Sequence, residues 1–111
     1  MKHIMNLAPQ PFEAIAEGKK TVEMRLNDER RATLRVGDGI EFENIETLDK
    51  VVCKVVNITR FNDFFELYSH FDKTLIGYSE SEIADPADMY QNYTAEKIAQ
   101  YGVLAIEIIL I

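Results

Sequence analysis

The segment Gly18-Lys19-Lys20-Thr21-Val22-Glu23-Met24-Arg25 gathers most of the chain's candidate chemistry in eight residues. Arg25 offers planar, bidentate donors suited to a phosphate, a carboxylate or a base edge. Lys20 brings a compact ammonium on a flexible stem. Glu23 can accept from an exocyclic amine, as acidic side chains accept from cytosine N4, and Thr21 adds a hydroxyl. The stretch 19–26 alternates with period two. Val22, Met24 and Leu26 fall on one face, and Thr21, Glu23 and Arg25 on the other. The pattern predicts a half-buried strand whose charged face looks into solvent or into a cleft. Composition leaves both outcomes open: cross-strand ion pairs on a solvated face, or a binding hollow.

The other chemistry-bearing residues narrow the field. The only histidines, His3 and His70, lack metal-ligand spacing, so no zinc site is expected. There is no Ser-His-Asp arrangement, no Walker-type phosphate loop and no dinucleotide fingerprint. No cofactor or metal is therefore expected. The single cysteine, Cys53, lies in the apolar run 51–56, which excludes an intrachain disulfide and predicts a buried thiol. The acidic run 80–88 reads as a solvated face. Phe61, Phe64, Phe65, Tyr68 and Phe71 read as core. Tyr90, Tyr93 and Tyr101 lie where a nucleobase could stack, although structural tyrosines are the alternative.

These residues are carried by 111 residues, the size of one domain, with 47% hydrophobic residues and a formal net charge of −7. An acidic chain is ill suited to wrap long duplex DNA, because counterion release rewards a basic surface. Locally the balance differs. Residues 17–35 hold Lys19, Lys20, Arg25, Arg30, Arg31 and Arg35 against Glu17, Glu23, Asp28 and Glu29, which predicts a positive patch on an acidic molecule. No signal-peptide core follows the first residues, and the last apolar run is too short for a bilayer-spanning helix. A cytoplasmic protein that does not associate with membranes is expected. Oligomeric state is not legible.

Turn and cap signals divide the chain. A first strand is expected over 3–7 and a helix over 11–17, stopped by Gly18. After the charged strand, Gly37-Asp38-Gly39 marks a tight turn. Strands follow over 40–44 and 51–59, joined by a hairpin. Asn62 is expected to cap a helix over 63–70. An acidic helical stretch is expected from Ser79 or Ser81, interrupted at Pro86. Thr94 caps a helix over 95–100, and a final strand runs over 103–111. Five strands with inserted helices predict one α+β domain over residues 1–111, a small, curved, mostly antiparallel β-barrel.

Gly18-Lys19-Lys20-Thr21-Val22-Glu23-Met24-Arg25, Val36-Gly37-Asp38 and Tyr101-Gly102-Val103-Leu104-Ala105-Ile106 together resemble the ASCH domain family, in the same order along nearly the whole chain. The resemblance implies a PUA-like barrel and a cleft suited to RNA or a modified nucleoside, with Lys19, Thr21, Arg25 and Tyr101 as candidate ligand-binding residues. One branch of the family is an amidohydrolase acting on N4-acetylcytidine. In that branch a lysine, a threonine and a downstream glutamate act together. The lysine falls on Lys20. The threonine position is occupied by Glu23, which is no hydroxyl nucleophile but can act as a base toward water. The downstream acid falls on Glu80 or Glu82. Lys20, Glu23 and Glu82 are thus the candidate catalytic residues. A ribonuclease is also known in the family, and a protein-interaction module is a further alternative.

Overall fold

The computed structural model describes all 111 residues. Five strands form one curled sheet in the order β1-β3-β4-β5-β2. They are β1 (Lys2–Leu7), β2 (Val22–Leu26), β3 (Gly39–Asn44), β4 (Lys50–Phe61) and β5 (Val103–Leu110). Three of the four pairings are antiparallel, and β1 pairs with β3 in parallel. The α+β, PUA-like curved sheet expected from the sequence is therefore present. It is a half-barrel, because β1 and β2 are both edges and share no ladder. The long strand β4 bends at an irregularity between Val55 and Asn57, where pairing with β5 slips past Val56. Such bulges sharpen local twist and let a sheet curl.

Short helices fill the connections. Helix α1 (Pro9–Ala16) joins β1 to β2, with proline in its first turn, where the missing N–H costs nothing. Gly18, at φ +78°, ends it, and the amides of Lys19 and Lys20 return to the Ala14 carbonyl. The backbone at Lys19 and Lys20 thus belongs to the helix end, so β2 begins at Val22 and not at Lys19. Helix α2 is only Phe64–Tyr68, shorter than the 63–70 expected from the helical spacing of its aromatics. Its cap is Asp63, which accepts from the Glu66 amide, and not Asn62. The acidic stretch before Pro86 is not helical. Pro86 favours an extended Asp85, whose carboxylate caps a 3₁₀ segment, Pro86–Gln91. Thr94 caps α3 (Ala95–Tyr101) by accepting from the Lys97 amide, as its sequence predicts. No helix is long and apolar enough to cross a membrane.

The sheet has a packed cluster on each side. The inner cluster includes Phe12, Ile15, Ile40, Phe42, Cys53, Val55, Leu104 and Ile106. The outer one joins Val22, Met24 and Leu26 to Phe61, Phe64, Leu67, Met89, Ile98, Val103 and Ala105 beneath α2, the 3₁₀ segment and α3. Phe65 is the exception among the aromatics assigned to the core; it is 53% exposed. Cys53 is fully buried, and burial pushes its thiol up to about 11. At the turn before β3, Asp38 accepts from the Arg35 amide and pairs with His3 Nε2 at 2.8 Å, pinning β1 to the start of β3. The His3 hydrogen bond is the largest influence holding the Asp38 carboxyl down at about 2.

Candidate functional site

Strand β2 has both faces covered. Directly opposed residues of paired strands project to the same face. Met24 lies opposite Ala105 and Leu26 opposite Val103, so both enter the outer cluster. Glu23 lies opposite Ile106 and Arg25 opposite Leu104, so both face the inner side of the curl. The charged face does not look into bulk water. It points to the rim of the half-barrel, where the seam between β1 and β2 stays open.

Three charged side chains meet there. Lys20 Nζ lies 2.8 Å from Glu23 Oε1, and Arg25 Nε lies 2.7 Å from Glu23 Oε2. Lys20 and Glu23 are only 7% and 3% exposed, so this is no solvated surface pair. Arg25 also donates through Nη2 to the Asn6 carbonyl at 3.0 Å, crossing the seam that no ladder closes. The methylenes of Lys20 run against Gly77, where an added Cβ would come within 3.2 Å of Lys20 Cδ.

Burial alone would raise the Glu23 pKa. The charges of Lys20 and Arg25 and their hydrogen bonds outweigh it and bring the carboxyl down to about 2. Glu23 is therefore an ionised acceptor with both oxygens occupied. Burial works against the Arg25 charge, and Glu23 more than offsets this, so Arg25 stays firmly protonated. The carboxylate acts as a buried brace that fixes an ammonium and a guanidinium in one orientation.

These groups form part of the wall of a hollow of about 300 Å³. Asn6, Ala8 and Pro11 form one side, from the end of β1 and the start of α1. Met89, Asn92 and Tyr93 form the other, from the 3₁₀ segment and its exit. Tyr93 is half-buried and lies nearly parallel to Phe64, 6.0 Å between ring centres, which fixes its plane. Of the three tyrosines considered for stacking, it alone lines this hollow. Asn6, Asn92 and Met89 were not legible as site residues, because nothing in the local pattern marks them. They arrive through chain segments far from β2 in sequence.

The remaining sequence candidates lie elsewhere. Lys19 is exposed beside Glu17, 3.7 Å away. Thr21 borders a separate depression with Ile15, Cys53, Ile108 and the other side of Lys20, away from Glu23 and Arg25. Tyr101 lines an open groove with Asn27, Arg60 and Gln100, on another part of the molecule. Glu82 is exposed and bound to its own turn, where its carboxylate accepts from the Ser79 amide. Lys73 donates to the main-chain carbonyls of Glu80 and Glu82, and the carboxylate that pairs with Lys20 is that of Glu23. Lys19, Thr21, Tyr101 and Glu82 thus do not line the hollow where Lys20, Glu23 and Arg25 meet.

A curled five-stranded half-barrel sheet with short inserted helices is a PUA-like α+β fold. The ASCH domain matches residues 5–111, and the chain belongs to that family. It is similar over the full length of both chains to the crystal structure of the hypothetical protein PH0355, at 31% identity and TM-score 0.84. It is also 31% identical to PF0455 of Pyrococcus furiosus, with TM-score 0.77, covering 100% of this chain and 98% of that one. An S128A mutant of the ASCH protein of Zymomonas mobilis shares the fold at 18% identity and TM-score 0.68, covering 96% of this chain and 66% of that one. No curated protein matches the sequence.

Proposed function

We propose that this chain is an ASCH-type RNA- or nucleoside-binding domain that takes one nucleobase into the hollow between β1 and β2. The observation that carries the reading is the convergence of Lys20, Glu23 and Arg25 on a single concavity beside the Tyr93 ring. A pocket of about 300 Å³ lies at the small end for ligand sites, the scale of one ring and its sugar. Lys20 and Arg25 offer donors to ring nitrogens and carbonyl oxygens, Asn6 and Asn92 offer both donor and acceptor groups, and Tyr93 brings an aromatic side chain to the wall.

Hydrolysis of an N4-acylated cytidine at the same place would use Glu23 as the base toward water. The geometry favours binding instead. A carboxyl near 2 is a weak base at neutral pH, and both its oxygens already hold cations. The downstream acid of that scheme is also missing from the pocket.

The test is an NMR titration of the folded chain with the four ribonucleosides and N4-acetylcytidine. Shifts should concentrate on residues 6–11, 20–25 and 89–93, and folded Arg25→Ala should lose the binding. Undiminished binding by folded Arg25→Ala would overturn the proposal. Conversion of N4-acetylcytidine to cytidine that depends on Lys20 would replace it with the hydrolase reading.

A further inference from the structure

A second hollow, of about 360 Å³, lies on the β1 side of Arg25. Arg25 and Asn6 line both hollows, so the two are contiguous across one guanidinium. Arg30, Arg31 and His3 complete its polar wall, and no carboxylate lines it. On a chain of net charge −7, three arginines around one concavity form a local reversal of sign.

The donors there are partly spoken for and partly free. Asp28 Oδ2 holds Arg31 Nη1 at 2.6 Å and so fixes that side chain. Arg25 commits Nε to Glu23 and Nη2 to the Asn6 carbonyl. His3 is tied through Nε2 to Asp38 and serves as a fixed wall. Arg25 Nη1, the remaining N–H groups of Arg31 and the whole Arg30 guanidinium make no intramolecular hydrogen bond. Two braced guanidinium groups and one exposed one around a single hollow match the several acceptor oxygens of a phosphate.

We propose that this second hollow is a phosphate subsite, so that the ligand is a phosphorylated nucleoside: its base enters the Lys20–Glu23–Arg25 pocket and its phosphate lies among Arg25, Arg30 and Arg31. The inference rests on the nucleobase reading of the neighbouring pocket and extends it. Its chemistry is a phosphate ester, supplied either by a free nucleotide or by a nucleotide within an RNA strand. The role of Arg30 and Arg31 is the part no motif indicated.

The experiment titrates the full chain with each ribonucleoside, its 5′- and 3′-monophosphates, and a single-stranded RNA tetramer. It uses the native chain and Arg30→Ala, a substitution at an exposed position. One monophosphate should bind about ten- to a hundredfold more tightly than its nucleoside, the range for charge-assisted hydrogen bonds. Arg30→Ala should remove most of that gain and leave nucleoside affinity within about twofold, since Arg30 lies outside the base pocket. A tetramer that binds more tightly than either monophosphate identifies a strand as the source. Its log-affinity against log-salt slope should then fall by about 0.7 in Arg30→Ala. Equal affinity of tetramer and monophosphate identifies a free nucleotide. Equal affinity of a nucleoside and both its monophosphates, or a gain undiminished in Arg30→Ala, overturns the subsite and leaves the base pocket standing. Absence of binding by every probe overturns both.

Discussion

Replacing Glu23 by glutamine removes the central charge of the seam while keeping its shape. Lys20 and Arg25 then remain buried beside a neutral amide. The fall of the Glu23 pKa from 4.5 to about 2, at about 1.4 kcal/mol per pKa unit, corresponds to about 3 kcal/mol of stability at neutral pH. The same size is expected from breaking a buried ion pair by removing one partner, about 3–5 kcal/mol. The sign follows from a depressed pKa. The contribution is fully present above 4.5, where the unfolded carboxyl is ionised, and is lost as the pH falls toward about 2. Urea unfolding of the native chain and of Glu23→Gln should therefore differ by about 3 kcal/mol at pH 7 and by about half that at pH 3. Asp38, Glu41 and Glu82 also have lowered carboxyl pKa values, but they are common to both proteins and cancel in the difference. Lys20→Met should destabilise in the same direction, and the double variant should lose less than the sum of the singles. A difference that stays constant from pH 7 to pH 3, or a Glu23 carboxyl resonance that titrates near 4.5, would refute the buried brace.

Two further outcomes test the frame that holds the pocket. Cys53 is sealed in the inner cluster with its thiol raised to about 11, so a thiol reagent at pH 8 should label it only as fast as the chain unfolds; labelling within seconds of mixing would contradict the packing. Gly102 stands at φ +72°, and an added Cβ would lie 3.0 Å from the Phe61 carbonyl oxygen, so Gly102→Ala should cost about 1–3 kcal/mol in urea unfolding, whereas a cost near zero would mean the turn into β5 relaxes freely.

Much of the frame was legible from local rules. Gly18 ends a helix because only its backbone takes a left-handed turn without strain. Thr94 opens a helix because its hydroxyl satisfies an otherwise orphaned amide. Strand alternation and the glycine-aspartate turn supplied the five strands and the curved antiparallel class. Local rules erred where several weak signals competed. Asn62 and Asp63 are both good caps, and only the approach of Glu66 chose Asp63. Acidic residues 80–85 carry helix-compatible composition, yet Lys73 and the side chain of Glu82 hold their backbone in a turn.

The amino-acid order by itself determined that Glu23 and Arg25 share one face of a strand and that Lys20 precedes them after a helix stop. Period two states which side chains travel together; it does not state which side of the sheet is inside. Packing of residues 61–101 over Val22, Met24 and Leu26 decided that, and it turned the charged face toward the rim of the curl. The same long-range folding brought Asn6, Met89, Asn92 and Tyr93 to the pocket and left Lys19, Thr21, Tyr101 and Glu82 outside it. Those placements depend on contacts between segments distant in the chain, whose energies no local spacing encodes.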